Sequence, residues 1–363
     1  MIPHDAVESA EAKQVAALYG IEIQTLVPVD GGFSGACLFR VVDTSGAVFA
    51  LRQTQSSDAM PAERYCDLVA LLRDVSLSGC EFIPVPLRHQ QSLSGLLNAP
   101  HLPSFANVDE SQTRTRIHKS VWQIEHWMPG EPATGPPTAG QIAATLEALA
   151  LFHNTAAKSV EARANHRTLY VARERSPGIS RRIAITTELS NGLLARFVKA
   201  AASEPDPEFR SCAKRLCAAL EYWLPWLTKQ LIEVASVSYQ LQPVIRDLWR
   251  PHVLFTEEHV TGIIDLNAMA TDHVGLDVTR LCRSWFGADV VRIREVISQF
   301  IAQRFQNEKD RSLVQALDAS TVLLSPIRWL RELTDGHASQ RQASSILARF
   351  RELTGIAEQF EPL

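Results

Sequence analysis

The residues best suited to chemistry lie between Pro243 and Asp277, in the stretch PVIRDLWRPHVLFTEEHVTGIIDLNAMATDHVGLD. His252 stands five positions after Asp247, and Asp265 ends the apolar run Gly262-Ile263-Ile264. Transfer of a γ-phosphoryl group needs one carboxylate to position the attacking hydroxyl, and ligands to hold a divalent metal against the phosphates. Asp247 suits the first role; His252 and Asp265 suit the second. Taken singly, each aspartate also fits a turn cap, because Asp side chains commonly bond nearby backbone. The set in this order is what points to phosphoryl transfer.

A second candidate lies upstream, in Asp30-Gly31-Gly32-Phe33-Ser34-Gly35. Glycines let backbone N–H groups approach phosphate oxygens closely, so Gly31, Gly32, Ser34 and Gly35 could cover a nucleotide. An ordinary glycine-rich hairpin turn reads the same way. No GxxxxGK[ST] or GxGxxG motif is present, which excludes the Walker-type and dinucleotide loops. Gly32-Phe33-Ser34-Gly35-Ala36 is close to a hydrolase elbow, but Ser34 leads into the strand-like run ACLFRVV rather than a helix.

The elements that must hold these residues are legible from periodicity. Residues 35–42 and 48–52 are short apolar runs joined by Asp43-Thr44-Ser45-Gly46, the spacing of a β-hairpin. Leu68, Leu71, Leu72 and Val75 give residues 61–74 an apolar helical face. The segment PVPLRHQ reads as a strand, 92–119 as a polar loop, and 120–127 as another strand. Thr138 and Gln141 form a capping-box pair that opens a long helical region. Helices fill most of 183–235 and return after Asp277, with loop and short strands over 238–265.

With those residues in place, the 243–277 segment resembles the aminoglycoside phosphotransferase and choline-kinase-like family. Asp247, Asp265 and Asp277 fall on its three carboxylates, and RPHVLF on its run into the hairpin. Ile245-Arg246 stand where the family has His-Gly, and His252 where it has Asn. The resemblance runs from about Val29 to the C-terminal helices and is weakest over 155–235. It implies an α+β, protein-kinase-like two-lobe fold. Residues 1–125 would form a small antiparallel-sheet N-terminal lobe and 126–363 a larger, mostly helical C-terminal lobe, hinged at about 125–130. It implies ATP and Mg2+, with Asp247 catalytic and His252 and Asp265 on the metal. Arg52, in place of the family Lys, would hold the phosphates, fixed by Glu63 or, as second choice, Asp67. Adenine would meet the carbonyl of His126 and the N–H of Met128. Asp277 would brace the catalytic loop, and His153 would hydrogen-bond in the core beside it.

The implied activity is phosphorylation of a small-molecule hydroxyl. The departures at 245, 246 and 252 leave open a second reading, a nucleotide- or metabolite-binding regulator that transfers no phosphate. Trp223 and Trp226, flanking Pro225, read as core packing ahead of a substrate pocket. Arg173, Arg175, Arg181 and Arg182 read as a solvated basic face ahead of an anion contact.

Composition narrows the classes further. In 363 residues, Lys plus Arg is 36 and Asp plus Glu is 40, a net charge of −4 that gives no reason to expect nucleic acid or an anionic membrane. No basic start leads into an apolar run and no transmembrane stretch appears. Six cysteines without a CxxC pair suit neither zinc nor a disulfide framework. A reduced, cytoplasmic protein is expected; the sequence says nothing of its oligomeric state.

Overall fold

A computed structural model describes residues 4–29, 36–89, 107–108, 113–117, 119–163, 168–304, 308–335 and 343–363. The glycine-rich candidates Gly31, Gly32, Ser34 and Gly35 lie outside the described residues. The chain divides into two compact units. The first comprises 1–131, 154–169 and 254–267; the second comprises 132–153, 170–253 and 268–363.

The first unit is built on a six-stranded antiparallel sheet. Strands β1 (Ile23–Val29), β2 (Cys37–Asp43), β3 (Val48–Gln55), β4 (Asn107–Val108), β5 (Arg114–Ile117) and β6 (Ser120–His126) run in the order β1-β2-β3-β6-β5-β4. The expected hairpin is β2–β3, and its chemistry is local. The Asp43 carboxylate accepts from the N–H groups of Ser45 and Ala47 at 2.9 and 2.8 Å, and Gly46 takes φ +88°. Leu51, Trp122 and Ile124 are buried with Val15 and Ala16 of α1 (His4–Leu18) in one core. Helix α2 (Ala62–Leu77) buries Leu68, Leu71, Leu72 and Val75, the face read from periodicity.

Two local expectations fail here. Among its described residues, PVPLRHQ makes only one backbone bridge, Pro86 to Glu125, with a bond from Leu87 N–H to the Ile124 carbonyl. Pro84 and Pro86 have no N–H to give a ladder, so the strand does not extend. Conversely β4 and β5 occur inside the stretch read as loop.

The second unit is mostly helical. After the short strand β7 (Glu131–Pro132) comes α3 (Ala139–Ala162), whose first residues belong to this unit. It opens as expected: Thr138 N–H bonds Gln141 Oε1 and Gln141 N–H bonds Thr138 Oγ1, both at 3.1 Å. Strands β8 (Ala172–Glu174), β9 (Tyr239–Val244) and β12 (Ala270–Asp272) form a small sheet with β9 central. Between β9 and β12 lies the hairpin β10–β11 (Val253–Thr256, His259–Ile263), most of which belongs to the first unit. The helices are α4 (Pro177–Glu188), α5 (Leu194–Ser203), α6 (Pro207–Ala235), α7 (Gly275–Phe286), α8 (Val290–Arg304), α9 (Glu308–Leu324), α10 (Ile327–Asp335) and α11 (Ala343–Glu358). Trp223 and Trp226 of α6 pack on Phe360, with ring centroids 5.1 and 6.0 Å away, so they are packing residues. On α7, Arg283 makes a buried two-point bond to Asp318 at 2.8 and 2.6 Å. Among the described residues no helix is long and apolar enough to cross a membrane.

Candidate active site

In the first unit the site residues converge on Arg52. It sits in β3, in register with Gln123 of β6, and its side chain is 16% exposed. Its ion pair is to Asp265, at 3.1 Å. In this structure the pair is with neither of the expected carboxylates. Glu63 is exposed in the first turn of α2, and Asp67 accepts from the N–H and hydroxyl of Thr168 at 2.8 and 2.7 Å. Asp265 wins because the β10–β11 hairpin brings it within ion-pair distance of β3.

Asp265 follows β11 with φ +61°, a left-handed conformation that Asp tolerates better than most residues. Beside the pair stands Glu125, near the end of β6. Arg52, Leu68, Leu72, Glu125 and Asp265 line one crevice with Tyr65. Burial pushes the Glu125 carboxyl up to about 7; Arg52 pulls against this and the Asp265 charge adds to it. Glu125 therefore holds its proton more tightly than an exposed carboxyl does. Sequence reasoning missed Glu125. Its signal was a lone acid in a strand that also carries the apolar Val121, Trp122 and Ile124.

The register of β6 also bears on the expected adenine contacts. Trp127 N–H donates to the Val48 carbonyl at 3.0 Å, so His126 and Phe49 form a non-hydrogen-bonded pair. The His126 carbonyl therefore points away from β3, as does that of Ile124, which accepts from Leu87.

In the second unit α7 organises the loop that follows β9. Asp277, Arg280 and Ser284 share a helix face at i, i+3 and i+7. Buried Asp277 accepts from the N–H of Ile245 at 2.9 Å, the N–H of Arg246 at 2.7 Å, and His153 Nε2 at 2.9 Å. Burial holds His153 below its ordinary pKa although Asp277 opposes it, so a neutral ring donates through Nε2. Both residues do what was expected of them. The clamp bends the chain tightly: Asp247 N–H bonds the Ile245 carbonyl at 2.9 Å, and Arg246 between them takes φ +68°. That is the strained form of a three-residue turn, and it explains physically why glycine suits this position.

Asp247 emerges from this turn with its side chain 39% exposed. Its Oδ1 accepts from Arg280 Nη2 at 2.6 Å and from Trp249 Nε1 at 2.5 Å. Burial alone would raise its pKa, but Arg280, Trp249 and His252 outweigh it and hold the carboxyl below the usual range. Among the described residues no protein group bonds Oδ2. His252 sits in a short 3-10 turn, Arg250–His252, and its Nδ1 bonds the Asp247 carbonyl at 2.8 Å. A carbonyl only accepts, so Nδ1 carries the proton and a neutral ring has its lone pair on Nε2. Arg280 and Arg349 both lie 4.2 Å from the Trp249 ring. Arg280, Arg349 and Trp249 were not found from sequence. The two arginines come from helices remote along the chain, and only Trp249, two residues after Asp247, carried a local signal.

A model described as the phosphotransferase enzyme family matches residues 25–307, and the chain belongs to this family. Solved structures share its fold. A spectinomycin phosphotransferase, in complex with ADP and spectinomycin, is 13% identical with a TM-score of 0.65, covering 97% of this chain and 98% of that one. An amicoumacin kinase, in complex with AMP-PNP, Ca2+ and Ami, is 13% identical with a TM-score of 0.59, covering 97% and 96%. A macrolide 2'-phosphotransferase from Brachybacterium faecium is 17% identical with a TM-score of 0.53, covering 92% and 96%. The fold is thus the α+β, protein-kinase-like one. No curated protein sequence matches the chain significantly.

Proposed function

We propose that the protein transfers the γ-phosphoryl group of ATP to a small-molecule hydroxyl, with magnesium. The observation that carries this reading is the Asp277 clamp, which presents an ionised, half-exposed Asp247 with one oxygen held by Arg280 and Trp249. Oδ2 would accept the proton of the attacking hydroxyl. A new P–O bond forms to that oxygen, the bond to the β-phosphate oxygen breaks, and ADP leaves. A carboxylate held below its usual pKa is a weak base, so its contribution is chiefly orientation of the acceptor.

Arg52 would hold the ATP phosphates. Its Nε is buried with no partner among the described residues, a donor suited to an anion. Gly31, Gly32, Ser34 and Gly35 would cover the phosphates, and the His126 carbonyl and Met128 N–H would meet adenine.

Among the described residues no three His, Cys, Asp or Glu side chains are gathered to hold a metal. Magnesium keeps several waters and takes phosphate oxygens alongside one or two carboxylates. Asp265 fits as the oxygen ligand, and His252 Nε2 is the weaker one because magnesium disfavours nitrogen. When bound, the ion neutralises charge on the phosphates. The test is ADP release with ATP, magnesium and a panel of hydroxyl metabolites. Asp247→Ala should lower turnover by roughly three orders of magnitude or more; near-normal turnover would remove Asp247 from the mechanism.

The engagement of Asp247 Oδ1 by two donors also suits a second reading, a nucleotide-binding regulator. Nucleotide binding without ADP release for any acceptor would favour it.

A further inference from the structure

The arginines gathered near Asp247 bear on what the acceptor is. Arg246 is its chain neighbour, with a backbone N–H fixed by Asp277. Arg280 bonds its Oδ1, and Arg349 of α11 lies against the same Trp249 ring as Arg280. Two more come from α4. A Cβ placed on Gly178 would stand 2.9 Å from Arg182 Nη1 and 2.3 Å from Asp272 Oδ2, so those two groups flank one point. Arg181 lies 3.8 Å from the same Asp272 oxygen. Asp272 belongs to β12, which pairs with β9, the strand that runs directly into Ile245-Arg246-Asp247. Arg246, Arg280 and Arg349 thus gather at Asp247, and Arg181 and Arg182 at Asp272, opposite Gln242 on the strand that leads to Asp247. The sequence placed Arg181 and Arg182 on a solvated face; the fold carries Arg182 inward instead.

Of the nearby acids, buried Asp272 offsets Arg181 and Arg182 in part, and the others are turned away from the arginines or exposed. The Asp277 carboxylate is turned onto main-chain N–H groups and His153. Glu352, bonded to Arg349 at 2.7 Å, is 47% exposed. Burial pushes Arg182 down to about 10, Asp272 opposes this, and Arg280, Arg181 and Arg246 add to it as like charges. Like charges held together inside a protein favour an anion among them. Arg280 also masks one oxygen of Asp247, so an incoming anion meets little repulsion from it. A polycation would meet the reverse.

We propose that the acceptor is an anionic hydroxyl compound, whose carboxylate or phosphate is received by Arg182, Arg246 and Arg349 while its hydroxyl faces Asp247. Guanidinium groups grip both oxyanions at two points, and stacking on Trp249 orders two of the arginines beforehand. The assignment rests on the phosphotransferase reading for the hydroxyl, but the anion-binding part can be measured without it.

The full-length protein is titrated with glycerol 2-phosphate, glycerate and kanamycin, without nucleotide, and thermal shift is read. ADP release is then followed with ATP and magnesium. At least one of the two anions should stabilise the protein while kanamycin does not, and the stronger of the two identifies phosphate or carboxylate. Arg349→Gln and Arg182→Gln should each weaken that binding about tenfold or more, and Arg182→Lys should restore part of it. Should Arg182→Gln not fold, Arg349→Gln and Arg182→Lys carry the test. Stabilisation by kanamycin alone, no stabilisation by either anion, or unchanged anion affinity in the arginine variants would overturn the proposal. Anion binding without ADP release would count against phosphoryl transfer and leave the anion site standing. ADP release with kanamycin alone would do the opposite.

Discussion

Replacing Glu125 by Gln isolates the electrostatics around Arg52. In the folded protein the carboxyl is pushed from 4.5 up to about 7, by burial first, with Arg52 opposing and Asp265 adding. A carboxyl raised on folding keeps its proton where the unfolded chain has lost it. Stability must then fall as pH climbs from about 4.5 to about 7, and level off above. At 1.36 kcal/mol per pH unit, the full effect is about 3 kcal/mol. Gln cannot titrate and resembles the protonated acid in shape, so Glu125→Gln should lack this component. The assay is chemical denaturation of both proteins without nucleotide, at steps from pH 5 to pH 8. The difference in unfolding free energy should move in favour of Glu125→Gln across that range, by about 2 to 3 kcal/mol. A difference that stays flat, or moves in favour of the wild type, would mean that Glu125 is ionised throughout and that Arg52 outweighs burial.

Three further perturbations follow from the same geometry. Asp277→Asn keeps the shape but removes the charge that three donors share; it should cost about 2 to 4 kcal/mol in denaturant unfolding and lower turnover along with it. Arg246→Gly should relieve the left-handed turn and raise stability by about 1 kcal/mol, while weakening anion binding. Arg283→Leu strands the buried Asp318 carboxylate, which burial already pushes upward against Arg283; thermal and denaturant unfolding should show a loss of about 3 to 5 kcal/mol.

Local chemistry was legible in the sequence where short-range contacts decide the outcome. The Thr138–Gln141 cap, the Asp43 turn and the apolar face of α2 each depend on residues within a few positions, and each forms. The aspartates at 247 and 277 were legible as a pattern, and the structure gives Asp277 the bracing bonds expected of it. What stayed hidden depends on tertiary approach. The partner of Arg52 is 213 positions away along the chain, on a hairpin rather than the adjacent helix. Arg280 and Arg349 reach the Asp247 loop from α7 and α11, and no periodicity along either helix announces that. Strand β12 is three residues long, too short for an alternating pattern to register. The two prolines that suppress a strand after α2 were visible, but their missing donors were outweighed by the apolar character of their neighbours.

The brace at Asp277 grips peptide groups, not the side chains of residues 245 and 246. Position 245 can therefore accept any residue that fits its buried surroundings, and position 246 any residue that bears a left-handed φ. Substitution there changes what projects from the turn without moving the turn itself. A guanidinium can thus be installed one residue from Asp247 with the loop's bearing preserved, and the side-chain chemistry of the turn can drift independently of its architecture.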